Sequence, residues 1–325
     1  MSDMEDMLVD PFRRMLADVA DAQAVRAAER TGDIGPIWAA INASGYLDAL
    51  LPEEQGGAGL RLEDIYPLVT ETGAASLPVP FAETVVARAL LAARGATAPA
   101  DAIIVLAAPS PVVPLARAAT HALVSNGDRI DLVRLDEAGD DAFGTLGGPV
   151  IAASEPVLSI EADGVDLTVF AAGLLAAKMA GAMRRLLDMS LRFAEERQQF
   201  GRPLGKFQAI QHQLAVMAEQ VITVQVAANI GMSGDHFDPL KVALAKCRAS
   251  EASHEVCAIA HAVHGAIGVT AEYDLQLLTR RLKEWQLAFG SESYWAARIG
   301  SARIRQTRGT SADFVREHLQ AGVMI

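Results

Sequence analysis

The segment from Arg192 to Gln208 reads RFAEERQQFGRPLGKFQ and gathers arginines, aromatic rings and two glycines where a helix should end. Glycine and proline together, in Phe200-Gly201-Arg202-Pro203, stop the helix. Helix ends leave backbone groups without partners, and a guanidinium beside turn amides can hold a phosphate. By composition alone the same residues also make a solvated, charged helix end. A second group, His254, Cys257, His261 and His264, recurs at spacings of three, four and three along one helix face. Such a stretch of helix spans about 15 Å, too far for one zinc ion with bonds of about 2.0 to 2.3 Å, so a polar packing face is expected. The loop Gly144-Thr145-Leu146-Gly147-Gly148 lacks the strand-to-helix context of a dinucleotide loop and is assigned no function.

The order of residues in the first segment is more specific than its composition. Arg197-x-x-Phe200-Gly201-x-x-Leu204-x-x-Phe207-Gln208 resembles the signature of acyl-CoA dehydrogenases, which are flavoproteins. Leu51-Pro52-Glu53-Glu54-Gln55-Gly56-Gly57-Ala58-Gly59-Leu60 looks like that family's amino-terminal loop, and Val263-His264-Gly265-Ala266-Ile267-Gly268-Val269-Thr270 like its late glycine-rich motif. Val113-Pro114, with Ala119 to Val124, resembles part of its middle domain. The resemblance implies an N-terminal helical domain, a middle β-domain and a C-terminal four-helix bundle, with FAD lying across a subunit interface. Carried over, Arg197 would hold the pyrophosphate of a neighbour's FAD. Phe200 and Gly201 would line the same cradle, Gln208 would hydrogen-bond the cofactor, and Gly265 would belong to the late cofactor-binding motif. A diphosphate needs a fixed guanidinium fork and a flat ring system needs an aromatic wall, so these residue types suit the task.

The departures are equally specific. The late motif's usual Gln and Gly-Gly pair read Ala262 and Gly265-Ala266, which removes one adenine contact. The middle-domain segments that contact the flavin ring and the acyl chain in the family are absent. Dehydrogenation of an acyl thioester needs a base for the α proton while the flavin accepts the β hydride. The family's usual glutamate falls on Phe289, and the alternative base position in the first bundle helix falls on Ala171. Glu284 and Glu292 lie five residues before and three after Phe289, on other parts of the turn. The pattern resembles the shorter, degenerate chain of heterotetrameric acyl-CoA dehydrogenases that act on bulky thioesters such as steroid side chains. Such a chain would complete the FAD site of a longer partner; a homodimer is the other assembly considered. A reading of a different class is a scaffolding helical protein that no longer binds flavin. The basic cluster Arg280, Arg281, Lys283, Arg298, Arg303, Arg305 and Arg308 is expected on a solvated surface with intersubunit salt bridges, with CoA or FAD phosphates as the other reading. Trp285, Phe289, Tyr294 and Trp295 are expected to pack in the core near the missing base.

These residues need elements to position them. The chain has 325 residues, 51% hydrophobic and 21% charged, with a net charge of −12. It is too apolar for disorder, and too acidic for a nucleic-acid or anionic-membrane binder. The start MSDMEDMLVD lacks a secretory signal, so a cytoplasmic location is expected. The apolar stretches 102–116 and 169–183 are broken by Pro111, Pro114 and Lys178, so no membrane span is expected. Cys247 and Cys257, ten residues apart in one helix, are beyond disulfide reach. The expected fold is mostly α with a small β domain: helices over 1–100, a truncated middle β-domain over 101–165, and a helical bundle over 166–325. Within the first part, helices are expected over Pro11 to Glu29, Gly35 to Leu51, Arg61 to Thr72 and Pro80 to Arg94. Short β-like runs follow, with a hairpin signal at Asn126-Gly127-Asp128. Long helices then run from Leu167 to Arg197, Phe207 to Met232 and Pro239 to Val263, the last capped by Asp238. Shorter helices start near Asp274 and after Ser291.

Overall fold

The computed structural model describes residues 5–108, 110–136, 143–306 and 308–318, and of residues 152–154 the backbone alone. Residues 1–4 of the acidic start lie outside the described residues. Five helices come first: α1 (Asp10–Val19), α2 (Ala22–Thr31), α3 (Gly35–Ala43), α4 (Leu62–Ala74) and α5 (Phe81–Ala92). The single helix expected from Pro11 to Glu29 is therefore two. The Asp21 carboxylate accepts a hydrogen bond from the Ala24 amide at 2.7 Å, which starts a new helix inside an otherwise periodic run. The run from Gly35 likewise stops early, at Ala43, before Gly45 with φ of 79°. In the loop after Pro52, Gly57 lies so close to the carbonyls of Leu51 and Asp48 that a Cβ would collide with them.

The strands β1 (Ile104–Ala107), β2 (His121–Asn126), β3 (Arg129–Leu135) and β4 (Ala152–Glu161) form one sheet in that order. β1 is parallel to β2, and the other pairs are antiparallel. The expected hairpin is present: Asn126 pairs with Arg129 across Gly127-Asp128, and Gly127 has φ of 62°. All four residues of β1 are buried. The Ile104 amide donates to the Thr84 hydroxyl of α5 at 3.0 Å, which ties the sheet to the first helices.

The remaining helices are α6 (Leu167–Glu196), α7 (Gln208–Gly231), α8 (Pro239–His264), α9 (Leu275–Leu287), α10 (Glu292–Arg305) and α11 (Ser311–His318). Asp238 caps α8 as expected, accepting from the amides of Leu240 and Lys241 at 2.8 and 3.0 Å. Near its start α6 meets Phe237 and Val242 at Gly173, and near its end Phe193 packs on His264. The two helices therefore run side by side in one direction. α4 presses on α6 so tightly that a Cβ on Gly73 would strike the Lys178 carbonyl, and one on Gly181 the Thr70 carbonyl. Lys178, buried in α6, is paired with Glu83 of α5 at 2.5 Å. One hydrophobic core runs from Val9 to Trp295, through the helices α1 to α10 and the four-stranded sheet.

Among the described residues two helices, α6 and α7, reach a mean hydropathy of 1.3 over 18 residues, long and apolar enough to cross a membrane by length and composition. In α6 83% of that window is buried inside the fold, whereas in α7 the figure is 39%. Ala215, Ile222 and Val226 are exposed on α7.

Candidate cofactor-binding turn and the position of the missing base

The Arg197 to Gln208 segment does more than stop a helix. β5 (Gln198–Gln199) and β6 (Arg202–Pro203) pair antiparallel, with Gln199 opposite Arg202. Phe200 and Gly201 are thus a two-residue hairpin loop, with φ of 51° and 78°. Positive φ at both positions is the geometry that Asn-Gly adopts readily, and phenylalanine at the first position is strained. The Arg197 amide closes α6 by donating to the Phe193 carbonyl at 2.9 Å, and its own carbonyl accepts from the Leu204 amide at 2.8 Å. Gln208 opens α7. Arg197, Phe200, Gly201 and Gln208 are all exposed, Phe200 at 91%. Among the described residues neither the Arg197 nor the Gln208 side chain has a partner. A cleft of about 540 Å³ opens beside the turn between α6 and α7, lined by Leu191, Ala194, Pro203, Lys206, Leu214 and Ala218.

Gly265, exposed and with φ of 61°, ends α8. The preceding His264 stacks on Phe193 at 4.5 Å and on Tyr273 at 5.2 Å, and its Nδ1 lies 2.8 Å from the Ala260 carbonyl oxygen. Burial lowers its pKa, so the ring is neutral at neutral pH. Because Phe193 sits one turn before Arg197, this stack brings Gly265 to the same end of the molecule as the turn. The other members of the His/Cys face are dispersed: His254 is exposed, and His261 contacts the Thr279 hydroxyl at 3.3 Å. Among the described residues no group of three His, Cys, Asp or Glu is arranged to hold a metal. Both cysteines are free, and burial pushes the Cys257 thiol up to about 12.

The two base positions lie elsewhere. Ala171 and Phe289 are 2% and 5% exposed, so both are filled by core side chains. Phe289-Gly290 is a second Phe-Gly turn with consecutive positive φ, 54° and 96°, but this one is held inside the protein. The Trp295 indole N–H donates to the Phe289 carbonyl at 3.1 Å. Lys246, fully buried, donates to the Gly290 carbonyl at 2.8 Å, the Gln286 carbonyl at 3.2 Å and the Ser250 hydroxyl at 2.9 Å. Trp285 and Trp295 are buried as expected, whereas Tyr294 is 44% exposed. Glu284 is buried against Gly147, where a Cβ would strike its carboxylate, and Glu292 accepts from the Gln286 amide group at 3.4 Å. Along α6, Ala171 and Arg197 are separated by roughly 39 Å at a rise of 1.5 Å per residue.

Two members of the basic cluster, Arg280 and Arg281, correct the expectation of a solvated surface. Arg281 is 0% exposed and paired with Glu29 of α2, and Arg280 binds the same carboxylate at 2.6 Å. Arg280 also donates to the carbonyls of Phe143 and Gly144, so the glycine loop left without a role is docked on α9. The reason is geometric: a carboxylate far away in sequence is folded against α9. Lys283, Arg305 and Arg308 are exposed, Arg298 lies over the Tyr294 and Trp295 rings, and Arg303 donates to the Gln306 and Gly309 carbonyls. The hairpin and Lys246 were missed by sequence reasoning. The repeated Phe-Gly pair was the available signal for the turns; nothing local marks Lys246.

Helices on either side of a small sheet, with the Arg-x-x-Phe-Gly turn between α6 and α7, make an acyl-CoA dehydrogenase fold, and the family described as "Acyl-CoA dehydrogenase, C-terminal domain" matches residues 169–303. The chain belongs to the acyl-CoA dehydrogenase family. It is 30% identical over 295 residues to "Acyl-CoA dehydrogenase IpdE2" of Mycolicibacterium smegmatis, covering 86% of this chain and 93% of that one. It is similar to a chain of a variant of the Tcur3481-Tcur3483 steroid ACAD, with a TM-score of 0.82 and 27% identity over 94% of this chain and 98% of that one. A chain of the ChsE4-ChsE5 complex from Mycobacterium tuberculosis shares the fold, with a TM-score of 0.79 and 22% identity over 95% and 99% of the two chains.

Proposed function

We propose that this chain is the non-autonomous subunit of an FAD-dependent acyl-CoA dehydrogenase, acting in the cytoplasm in a heterotetramer with a longer chain of the same family. One observation carries the reading: the exposed turn and the filled base position at Ala171 lie at opposite ends of α6. No single dinucleotide bridges that span, so Arg197, Phe200, Gly201, Gln208 and Gly265 serve an FAD whose ring lies over another chain. The residues suit that group. The exposed Arg197 guanidinium offers a fork of donors to a diphosphate, and the exposed Phe200 ring offers a flat wall. Gln208 is free to hydrogen-bond, and Gly265 leaves backbone uncovered. Ala262, where the resemblance to the family implies a glutamine, leaves the adenine with one contact fewer.

Bound FAD would supply the hydride acceptor for α,β-dehydrogenation of an acyl-CoA thioester. This chain holds no carboxylate at Ala171 or Phe289, so the proton-abstracting base comes from the longer chain. The similarity to a steroid ACAD supports a bulky, steroid-type acyl group as substrate.

The test is the visible spectrum of this chain purified alone and with a co-expressed longer relative. Flavin bands only in the co-purified complex are expected. A yellow, dye-reducing protein from this chain alone overturns the reading, and a colourless complex leaves only a scaffold. In the complex, Arg197→Ala should weaken FAD retention about tenfold or more, the scale of one charge-assisted hydrogen bond. Thermal unfolding of the isolated chain should not change, because the exposed side chain is not part of the core.

A further inference from the structure

The Phe200-Gly201 loop raises a physical problem: a phenyl ring 91% exposed, on a residue in a strained backbone conformation, needs something to hold it in one place. The neighbouring side chains provide it. Arg202, directly after the loop, lays its guanidinium carbon 4.1 Å above the Phe207 ring centroid. Phe207, half-buried at the entrance to α7, meets Phe200 edge to face, with ring centroids 6.1 Å apart at 76°. The three side chains form a continuous stack from guanidinium to half-buried ring to exposed ring. The two-residue pairing of Gln199 with Arg202 fixes the base of the stack.

We propose that Arg202 is a positioning residue, whose guanidinium seats Phe207 and through it fixes the Phe200 ring for the FAD carried by the partner chain. The inference rests on the cofactor role proposed for the turn. A cation over an aromatic face attracts its quadrupole, and the edge-to-face contact passes that order to the next ring. Arg202 thus acts through Phe207 and not by touching a phosphate, and the two modes differ in outcome.

The experiment compares Arg202→Ala, Arg202→Lys and Phe207→Leu. FAD affinity is read by flavin fluorescence titration of the complex, and the rate of chymotryptic cleavage after Phe200 is read in the isolated chain. Arg202→Ala and Phe207→Leu should each raise the FAD dissociation constant about three- to fivefold, with no further loss in the double variant. Both should speed cleavage after Phe200, and Arg202→Lys, which keeps the cation, should restore most of each effect. If Phe207→Leu is neutral while Arg202→Ala is not, Arg202 binds a phosphate directly and the proposal is wrong. Unchanged cleavage in both single variants also sinks it. A complex that binds no FAD, with cleavage accelerated as expected, refutes the cofactor reading and leaves the stack as the device that orders the turn.

Discussion

Phe200 and Phe289 stand in near-identical local settings, each followed by glycine and each at positive φ, yet one ring is exposed and the other is in the core. The strain at Phe200 buys no burial, so it is expected to serve the turn's ligand. Phe200→Asn, which suits the conformation, should leave the isolated chain equally or slightly more stable, by about 0.5 to 1 kcal/mol, in thermal melts. The same change should lower the flavin content of the complex. At Phe289 the decisive neighbour is Lys246. Burial pushes its ammonium down to about 7, well below the value an unfolded chain would show. Above pH 7 the unfolded chain therefore holds one more proton than the folded one, and stability rises with pH. The expected slope of the unfolding free energy from pH 7 to 8.5 is up to about 1.4 kcal/mol per pH unit. Above that window the raised thiols of Cys247 and Cys257 act in the opposite direction. Urea titrations of Lys246→Met should show the slope lost; an unchanged slope would assign it to other groups.

At the scale of elements, the contact between α4 and α6 is set by two glycines. Gly181→Ala should cost about 1 to 3 kcal/mol, because its Cβ would occupy the place of the Thr70 carbonyl. Gly300→Ala in α10, where a Cβ meets nothing, should gain about 0.5 to 1 kcal/mol through helix propensity alone. Chemical denaturation of the two variants checks both signs. The elements were legible in the sequence where their signals are local. Asp238-Pro239 marks the start of α8, and Asn126-Gly127-Asp128 marks the hairpin. The junction of α1 and α2 was not legible, because the Asp21 cap interrupts a run whose apolar period continues through it. The cofactor turn was readable as a contiguous motif, but not as a hairpin, since phenylalanine is foreign to the first position of such a loop. Burial of Arg281 was beyond sequence reasoning, because the charge that compensates it belongs to α2.

At the scale of the whole molecule, the early helix α2 and the late helix α9 are joined by ion pairs and hydrogen bonds. Arg26 donates to the carbonyls of Ala271 and Glu272 and pairs with Asp274, while Glu29 receives both Arg280 and Arg281. These links bridge 245 to 252 residues. They set a timetable for synthesis. A chain emerging from the ribosome exposes α2, with Val25 and Ala28 destined for the core and Glu29 still in water, long before α9 exists to cover them. α2 must therefore wait, incompletely docked, until α9 has been made, whereas α1 finds Tyr46 and Phe81 for its Phe12 ring among the early residues.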